Sequence, residues 1–335
     1  MDTFIHNLPK LELHLHIEGT LTPERKLLLA QRNNLDIGHS TASSIRETYQ
    51  FDSLASFLKV YYDGMTVLLQ EEDFYDLAMD YLKKAASQNV RYVEMFFDPQ
   101  AHTGRGVPFH SVITGLSRAC KDASSLGISA NLIMCFLRDH ESGWAEDILT
   151  QSIPYKEYIL GVGLDSDEHQ NPPDKFKAVF QRARESGYKL TMHCDVDQKD
   201  SLQHIEQVLS IGVDRIDHGV NVVFSDSLTE KIASKEGMGL TVCPISNGYV
   251  VDNMCEDRIA KLITRGVKVT INSDDPSYMG EQYVEENLVK LQQRMELSRE
   301  QLCLFQKNAV DICWADKPTK DKLMKEIEEY LTSNP

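Results

Sequence analysis

The sequence lacks the features of two large classes of protein. It has no excess of basic residues, because 35 Lys and Arg are outnumbered by 51 Asp and Glu, for a formal charge of −16. Binding along a nucleic-acid backbone needs clustered Lys and Arg, so we expect no nucleic-acid partner. No apolar run approaches the roughly 20 residues of a membrane helix, so we expect no membrane partner either. A small uncharged ligand remains compatible with this composition.

The sequence also lacks any Cys-x-x-Cys pair, although it contains seven cysteines. An odd number of cysteines without paired spacing indicates reduced thiols, which excludes a disulfide framework and a thiolate zinc site. The opening Met-Asp-Thr-Phe-Ile-His-Asn has neither the basic start nor the apolar core of a signal peptide. We therefore expect a soluble cytoplasmic protein, for which a homo-oligomer is an option.

Short apolar runs alternate with longer helical patterns along the chain. The runs predict eight strands, at residues 11–16, 90–97, 130–137, 159–164, 189–194, 215–218, 240–244 and 268–272. Helical windows lie between them, at residues 71–88, 108–125, 174–186, 201–211, 227–236 and 257–265. Eight alternations of strand and helix predict an α/β fold, a (β/α)8 TIM barrel.

Two regions exceed what a minimal barrel requires. The gap between the first two strands is long and includes an aromatic stripe at 57–62, and residues 284–332 are charged and helical. We expect extra helices after strand 1 and at the C-terminus. The aromatic stripe could line or cover the barrel mouth, but packing against the barrel is the favoured interpretation, because apolar stripes usually mean core. No repeat or linker is visible, so we expect one domain over residues 1–335.

The pair His14-Leu15-His16 is the most informative motif. On a strand, side chains two residues apart point to the same face, so both imidazoles face one ligand or are buried together at a cost. Neutral imidazole is a favoured zinc donor. Two half-buried histidines at a strand end are the alternative.

Further polar residues end other predicted strands. His193 ends the fifth strand, His218 the sixth, and Asp274 and Asp275 follow the eighth. Active sites of such barrels are built at the C-terminal ends of the strands, so these side chains can converge with the histidine pair. Three imidazoles and a carboxylate with room for water are the donor set of a catalytic zinc site. For the Asp-Asp-Pro sequence, a turn is the alternative interpretation.

At these residues the chain resembles the adenosine and adenine deaminase family of the amidohydrolase superfamily. The resemblance spans almost the whole chain and rests on segments 9–21, 97–100, 102–103, 105–106, 163–166, 216–219, 241–247 and 272–276. Each segment alone is weak evidence, and together they are specific. Glu18 and the segment Phe97-Asp98-Pro99-Gln100 resemble the branch that acts on free adenine.

The resemblance implies a role for each matching residue. Zinc, one ion per chain, would be bound by His14, His16, His193 and Asp274. His218 would orient the attacking water and accept its proton during hydrolysis at C6 of a purine. Substrate contacts would come from four further residues: Asp275 (at N7), Glu18, Asp165 and Ser166. Tyr278, Ser246 and Asn247 have either a site role or a role in stabilising loops.

One segment departs from the family pattern. The family motif His-Ala-Gly-Glu carries the acid that protonates purine N1, whereas this chain reads His193-Cys194-Asp195-Val196-Asp197. Valine cannot transfer a proton, and general-acid help is worth roughly 10²–10⁴-fold in rate. Asp195 or Asp197 could be the replacement acid, with Asp195 favoured because it shares the strand face of His193. Both could instead cap a helix or bond the loop.

The sequence thus predicts a zinc-dependent hydrolase that deaminates adenine or an N6-substituted adenine, methylated or cytokinin-type, to hypoxanthine and ammonia or an amine. Two alternatives remain open. One is an enzyme of the adenosine branch, and the other is a catalytically silent barrel that binds purines or protein partners.

Overall fold

A computed structural model describes residues 1–51, 53–251 and 253–334. Within these residues the eight strands are β1 Lys10–His16, β2 Val90–Phe97, β3 Ser129–Leu137, β4 Ile159–Asp165, β5 Lys189–Cys194, β6 Arg215–His218, β7 Leu240–Val242 and β8 Val269–Ile271. They pair in parallel in sequence order. The ring returns to its start where Leu15 of β1 bridges Asp274 just after β8. The predicted (β/α)8 barrel is therefore confirmed.

Helices surround the strands. In the described residues they are α1 Asp2–Asn7, α2 Pro23–Arg32, α3 Ala42–Arg46, α4 Leu54–Gly64, α5 Glu71–Ser87, α6 Pro99–Thr103, α7 Phe109–Asp122, α8 Ser142–Ser152, α9 Lys177–Glu185, α10 Ser201–Ile211, α11 Asp226–Ser234, α12 Pro244–Val251, α13 Glu256–Thr264, α14 Val284–Met295, α15 Arg299–Ile312 and α16 Lys317–Ser333. Helices α2 to α5 fill the long gap after β1, and α14 to α16 follow β8, as expected. None of the helices in the described ranges is both long and apolar enough to cross a bilayer.

Local sequence signals explain several helix starts. Thr22 accepts a hydrogen bond from the Arg25 amide, and Pro23 occupies the first turn of α2, where its missing N–H costs nothing. Ser298 and Gln301 form a reciprocal capping box at the start of α15.

Some predicted bounds were wrong. The sequence predicted a strand over residues 240–244, but β7 ends at Val242 because Pro244 begins α12. The predicted helix 174–186 begins as a 3-10 turn, Pro173–Phe176, before α9. Helix α8 between β3 and β4 had not been predicted.

Candidate active site

Four side chains from three strand ends converge at the barrel mouth. His14 Nε2 lies 3.1 Å from Asp274 Oδ1, and His16 Nε2 lies 3.4 Å from the same oxygen. The Nε2 atoms of His16 and His193 are 3.1 Å apart. All four side chains are buried, at most 6% exposed. The structure therefore brings together the four residues predicted as metal ligands.

The spacing of these donors fits a zinc ion. Zinc–nitrogen bonds of roughly 2.0–2.1 Å at tetrahedral angles place neighbouring donors about 3.3–3.4 Å apart, near the distances observed here. The outer ring nitrogens face other partners: His14 Nδ1 lies 3.0 Å from Thr241 Oγ1, and His193 Nδ1 lies 3.5 Å from Asp217 Oδ2. Such partners orient a ligating imidazole. The donor set and its supports fit a zinc site.

Asp217 lies beneath the cluster and had not been predicted as a site residue. Its carboxylate accepts hydrogen bonds from Thr191 Oγ1 (2.6 Å) and Thr241 Oγ1 (2.7 Å), and Arg215 Nε lies 3.8 Å away. Asp217 immediately precedes His218 in the motif at 216–219. A charged residue within a barrel strand points into the barrel or toward the helices, and the inward choice would have identified Asp217 as a site residue. Asp217 therefore supports, from inside the barrel, the histidines predicted as metal ligands.

His218 lies beside the ligand cluster. Its Nε2 is 3.7 Å from Asp274 Oδ2, and its Nδ1 is 3.1 Å from the Asn247 side-chain oxygen. With the Asn247 amide oriented so that its carbonyl oxygen faces His218, Nδ1 is the donor and Nε2 is left as the acceptor. Burial lowers the pKa of His218 to about 4, so the imidazole is neutral near pH 7 and able to accept a proton.

Two of these residues have left-handed backbone conformations. The φ angles of His218 and Asp274 are 55° and 66°, values that side-chain-bearing residues seldom adopt. Such strain clusters at functional sites, where surrounding structure holds it in place. The turn after β8 carries Asp275 against Gly19: a Cβ on Gly19 would lie 2.1 Å from Asp275 Oδ1. Glycine is therefore required there for the close approach.

A pocket opens above the cluster. It encloses about 770 Å³ of space, open mouth included, within the range of small-molecule sites. Its polar side includes five of the predicted site residues besides the ligands: His218, Asp275, Asp195, Asp165 and Ser166. Its other side is apolar and includes the aromatic stripe: Phe57, Leu58, Tyr61 and Tyr62. Phe57 and Tyr61 are also buried, so the stripe both packs and lines the pocket.

The two candidate acids occupy different environments. Asp195 lines the pocket together with Val196, whereas Asp197 is exposed and is not among the pocket-lining residues. Burial and the nearby Glu168 carboxylate raise the pKa of Asp195 well above its ordinary value, which favours a protonated side chain. The Glu168 carboxylate also accepts a 2.7 Å hydrogen bond from the Asp195 amide.

Glu18 does not line the pocket. It is fully buried, and its Oε1 lies 2.8 Å from His102 Nε2 and accepts a 3.1 Å hydrogen bond from the Asp98 amide. The structure thus places this predicted substrate contact behind the pocket wall. Asp98, which it holds, lines the pocket instead. Asp98 belongs to the segment 97–100, but its site position had not been predicted.

Asp165 and Ser166 lie at the end of β4, on the pocket wall. Asp165 Oδ2 is 3.4 Å from His16 Nδ1. Ser166 has a left-handed φ of 71°, and its hydroxyl accepts a 2.9 Å hydrogen bond from Tyr62, which ties α4 to this strand end. Asp275 is 5% exposed, and its Oδ1 has no hydrogen-bond partner among the described residues. Both carboxylates are therefore placed to meet a ligand.

Comparison with known proteins agrees with this geometry. The family model described as adenosine deaminase matches residues 9–330. An adenine deaminase of Acinetobacter baylyi is 46% identical over 329 residues, which cover 97% of this chain and 98% of that protein. The crystal structure of an adenine deaminase from Arthrobacter aurescens has a TM-score of 0.92 and 36% identity, covering 97% and 99% of the two chains.

A second solved structure contains a metal. An amidohydrolase from Burkhoderia ambifaria, with bound zinc, has a TM-score of 0.89 and 26% identity, covering 99% of this chain and 94% of that one. The family match covers nearly all of the barrel described above. The chain therefore belongs to the adenosine deaminase family, as the resemblance of its motifs predicted.

Proposed function

We propose that this protein is a zinc-dependent hydrolase that deaminates C6 of adenine or of an N6-substituted adenine, giving hypoxanthine and ammonia or an amine. The convergence of three imidazoles and Asp274 beside a neutral His218 carries the proposal. The names of the relatives, adenine deaminases at 46% and 36% identity, support the substrate class. The zinc in the Burkholderia neighbour supports the metal.

Different side chains would carry out different steps of the hydrolysis. A bound zinc ion would act as a Lewis acid and lower the pKa of water toward neutrality. His218 would accept the proton of the attacking water through Nε2, because Asn247 holds its other nitrogen. Asp275 would fix the purine by bonding at N7, and its burial excludes competing water. Ser166 and Asp165 would contact the ring edge from β4.

The first prediction concerns the metal. Purified protein should contain about one equivalent of zinc per chain. His14→Ala should lose both metal and turnover, because it removes one donor and its support from Thr241. Metal analysis and a deamination assay measure this, with the exposed His110→Ala as a matched control. Full activity in a metal-free preparation would contradict the proposal.

The second prediction concerns His218. His218→Ala should keep most of its metal and lose roughly two to four orders of magnitude in kcat, since it removes the base without removing a ligand. Metal content and kcat should be measured on the same preparation, again beside His110→Ala. A variant with normal turnover would show that the base lies elsewhere.

The third prediction concerns the substrate. Adenine or an N6-alkyl adenine should have a higher kcat/KM than adenosine or AMP, because selectivity is a difference in transition-state binding. Carboxylates crowd the pocket wall, and they disfavour a phosphate group in particular. A panel of purines assayed by product chromatography tests this. Comparable or faster turnover of adenosine would place the chain with the nucleoside enzymes.

The proton donor to N1 is the least conventional part of the proposal. Val196 occupies the family's acid position and lines the pocket. We assign the acid to Asp195, which lines the same pocket and has a raised pKa. Asp197 points to solvent and would need a loop movement to take this role.

The fourth prediction follows from this assignment. Asp195→Asn should lose roughly two or more orders of magnitude in kcat, as the loss of a general acid normally costs. Asp197→Asn serves as the matched control, and its kcat should stay near that of the wild type. If both variants remain fast, neither aspartate is the acid, and the substrate or water supplies the proton.

Val196 also favours a second candidate function, a silent barrel that binds purines without converting them. Zinc-loaded wild-type protein would then bind adenine in calorimetry and release no product from any purine in the panel. Measurable turnover excludes this function.

A further inference from the structure

The main chain around the proposed acid is anchored by buried side chains. Arg138 donates a 3.0 Å hydrogen bond to the carbonyl of residue 193, Glu168 accepts a 2.7 Å bond from the amide of residue 195, and Asn221 donates a 3.0 Å bond to the carbonyl of residue 196. The three anchoring side chains are at most 7% exposed. Three anchors within four residues leave the backbone little freedom, so the direction of each side chain at its Cβ is set.

Glu168 is the anchor that bonds the proposed acid residue itself. Its Oε2 accepts from the Asp195 amide, and Arg138 Nη1 lies 3.4 Å from the same oxygen. Its Oε1 lies 2.5 Å from Nδ1 of His204, which is 8% exposed. Because an ionised carboxylate only accepts, the imidazole is the donor in this contact. Both oxygens are therefore engaged, and turning the Glu168 side chain would break a buried hydrogen bond.

Helix α10 supports two of the three anchors. His204 of α10 bonds Glu168, which lies in the loop after β4. Ser201, the first residue of α10, accepts a 3.0 Å hydrogen bond from Asn221, which follows β6. The loop after β5, where Asp195 lies, is thus held between side chains that follow the neighbouring strands on either side. The placement of Asp195 depends on contacts that lie outside the pocket.

An aspartate depends on such anchoring more than a glutamate does. Its side chain is one methylene shorter, so the position of its carboxyl group follows the backbone closely. Asp195 and Val196 both line the pocket. A displacement of about 1 Å at a reacting group can cost about 100-fold in rate, so a short acid at position 195 requires a fixed main chain.

We propose that Glu168 and His204 are positioning residues that hold the Asp195 carboxyl group toward a bound purine, through the Asp195 amide. This role rests on the proposed function, in which Asp195 is the proton donor. It extends the machinery to two residues that are not among the described residues lining the pocket. The competing interpretation is that the pair only stabilises the loop.

A double-mutant cycle separates the two interpretations. His204→Ala should lower kcat about 10- to 100-fold, as the loss of an orienting partner commonly does, and should leave KM and metal content near the wild-type values. In an Asp195→Asn background the same substitution should change kcat less than about twofold, because no acid remains to be positioned. His204→Asn should restore most of the lost kcat, since its amide nitrogen can replace Nδ1 as the donor to Glu168.

A second buried histidine provides the matched control. His102 contacts Glu18 at 2.8 Å, and Glu18 accepts a hydrogen bond from the Asp98 amide on another part of the wall. His102→Ala therefore breaks a similar pair that does not hold the acid segment. Its effect on kcat should be the same factor in the wild-type and Asp195→Asn backgrounds, because independent sites are additive.

Equal losses from His204→Ala in both backgrounds would overturn the positioning role and leave the deaminase intact. A fast Asp195→Asn variant would do the same, because there would be no acid to position. If His204→Ala fails to fold, Glu168→Gln completes the same cycle, since it keeps one acceptor oxygen and cannot serve both donors.

Crystal structures of the zinc-loaded wild type and of His204→Ala give a readout that does not depend on turnover. The Asp195 carboxyl group should face the pocket in the wild type and turn away from it in the variant. An unchanged orientation would overturn the positioning role. A wild type without turnover on any purine would overturn the proposed function, and the two crystal structures would then still decide whether His204 orients Asp195.

Discussion

Negative charge buried at the barrel mouth is the constraint on which the site depends. Asp165, Asp274 and Asp275 are each at most 5% exposed and surround the imidazole of His16. Burial and neighbouring carboxylates raise the pKa values of Asp98 and Asp275 well above the ordinary range. Such groups are tolerated inside a protein only when they are paired or neutralised. Protonation of Asp98 and Asp275 and a cation at the imidazole cluster would each offset part of this charge, so the electrostatic balance at the mouth depends on both.

A column of buried, paired charges continues inside the barrel from the mouth toward the opposite end. Asp217, below the ligand histidines, lies near Arg215, which pairs with Glu94 of β2. Arg215 also donates to the Leu13 carbonyl (3.0 Å), and its guanidinium stacks over Trp314, 4.1 Å from the ring centroid. All three charged side chains are fully buried. Removing one partner of such a group leaves a buried charge uncompensated, typically at a cost of about 3–5 kcal/mol. The column therefore fixes β1, β2 and β6 relative to one another beneath the predicted metal ligands.

Periodicity predicted the barrel and the convergence of polar side chains at its mouth, whereas the choice of four of these side chains as metal ligands came from the family resemblance. Apolar runs identify parallel strands, and polar residues at their C-terminal ends identify the mouth. The sequence did not predict that Asp98, and not Glu18, lines the pocket. Glu18 enters a 3-10 turn, Glu18–Thr20, directly after β1, and this turn buries its side chain behind the wall. The direction of a side chain in such a turn depends on packing from distant segments, here His102, which strand alternation does not encode.

In the segment that departs from the family's acid motif, the path of the loop does not depend on the side chain at position 196. Arg138 donates a 3.0 Å hydrogen bond to the His193 carbonyl, and Glu168 accepts from the Asp195 amide. The segment is therefore held through its main chain, by two side chains that are fully buried. The side chain at position 196 takes no part in these bonds, so valine there leaves the loop path intact. An acid at position 195 in place of one at position 196 would leave the predicted metal ligand His193 where it is, which supports the proposed assignment of the acid to Asp195.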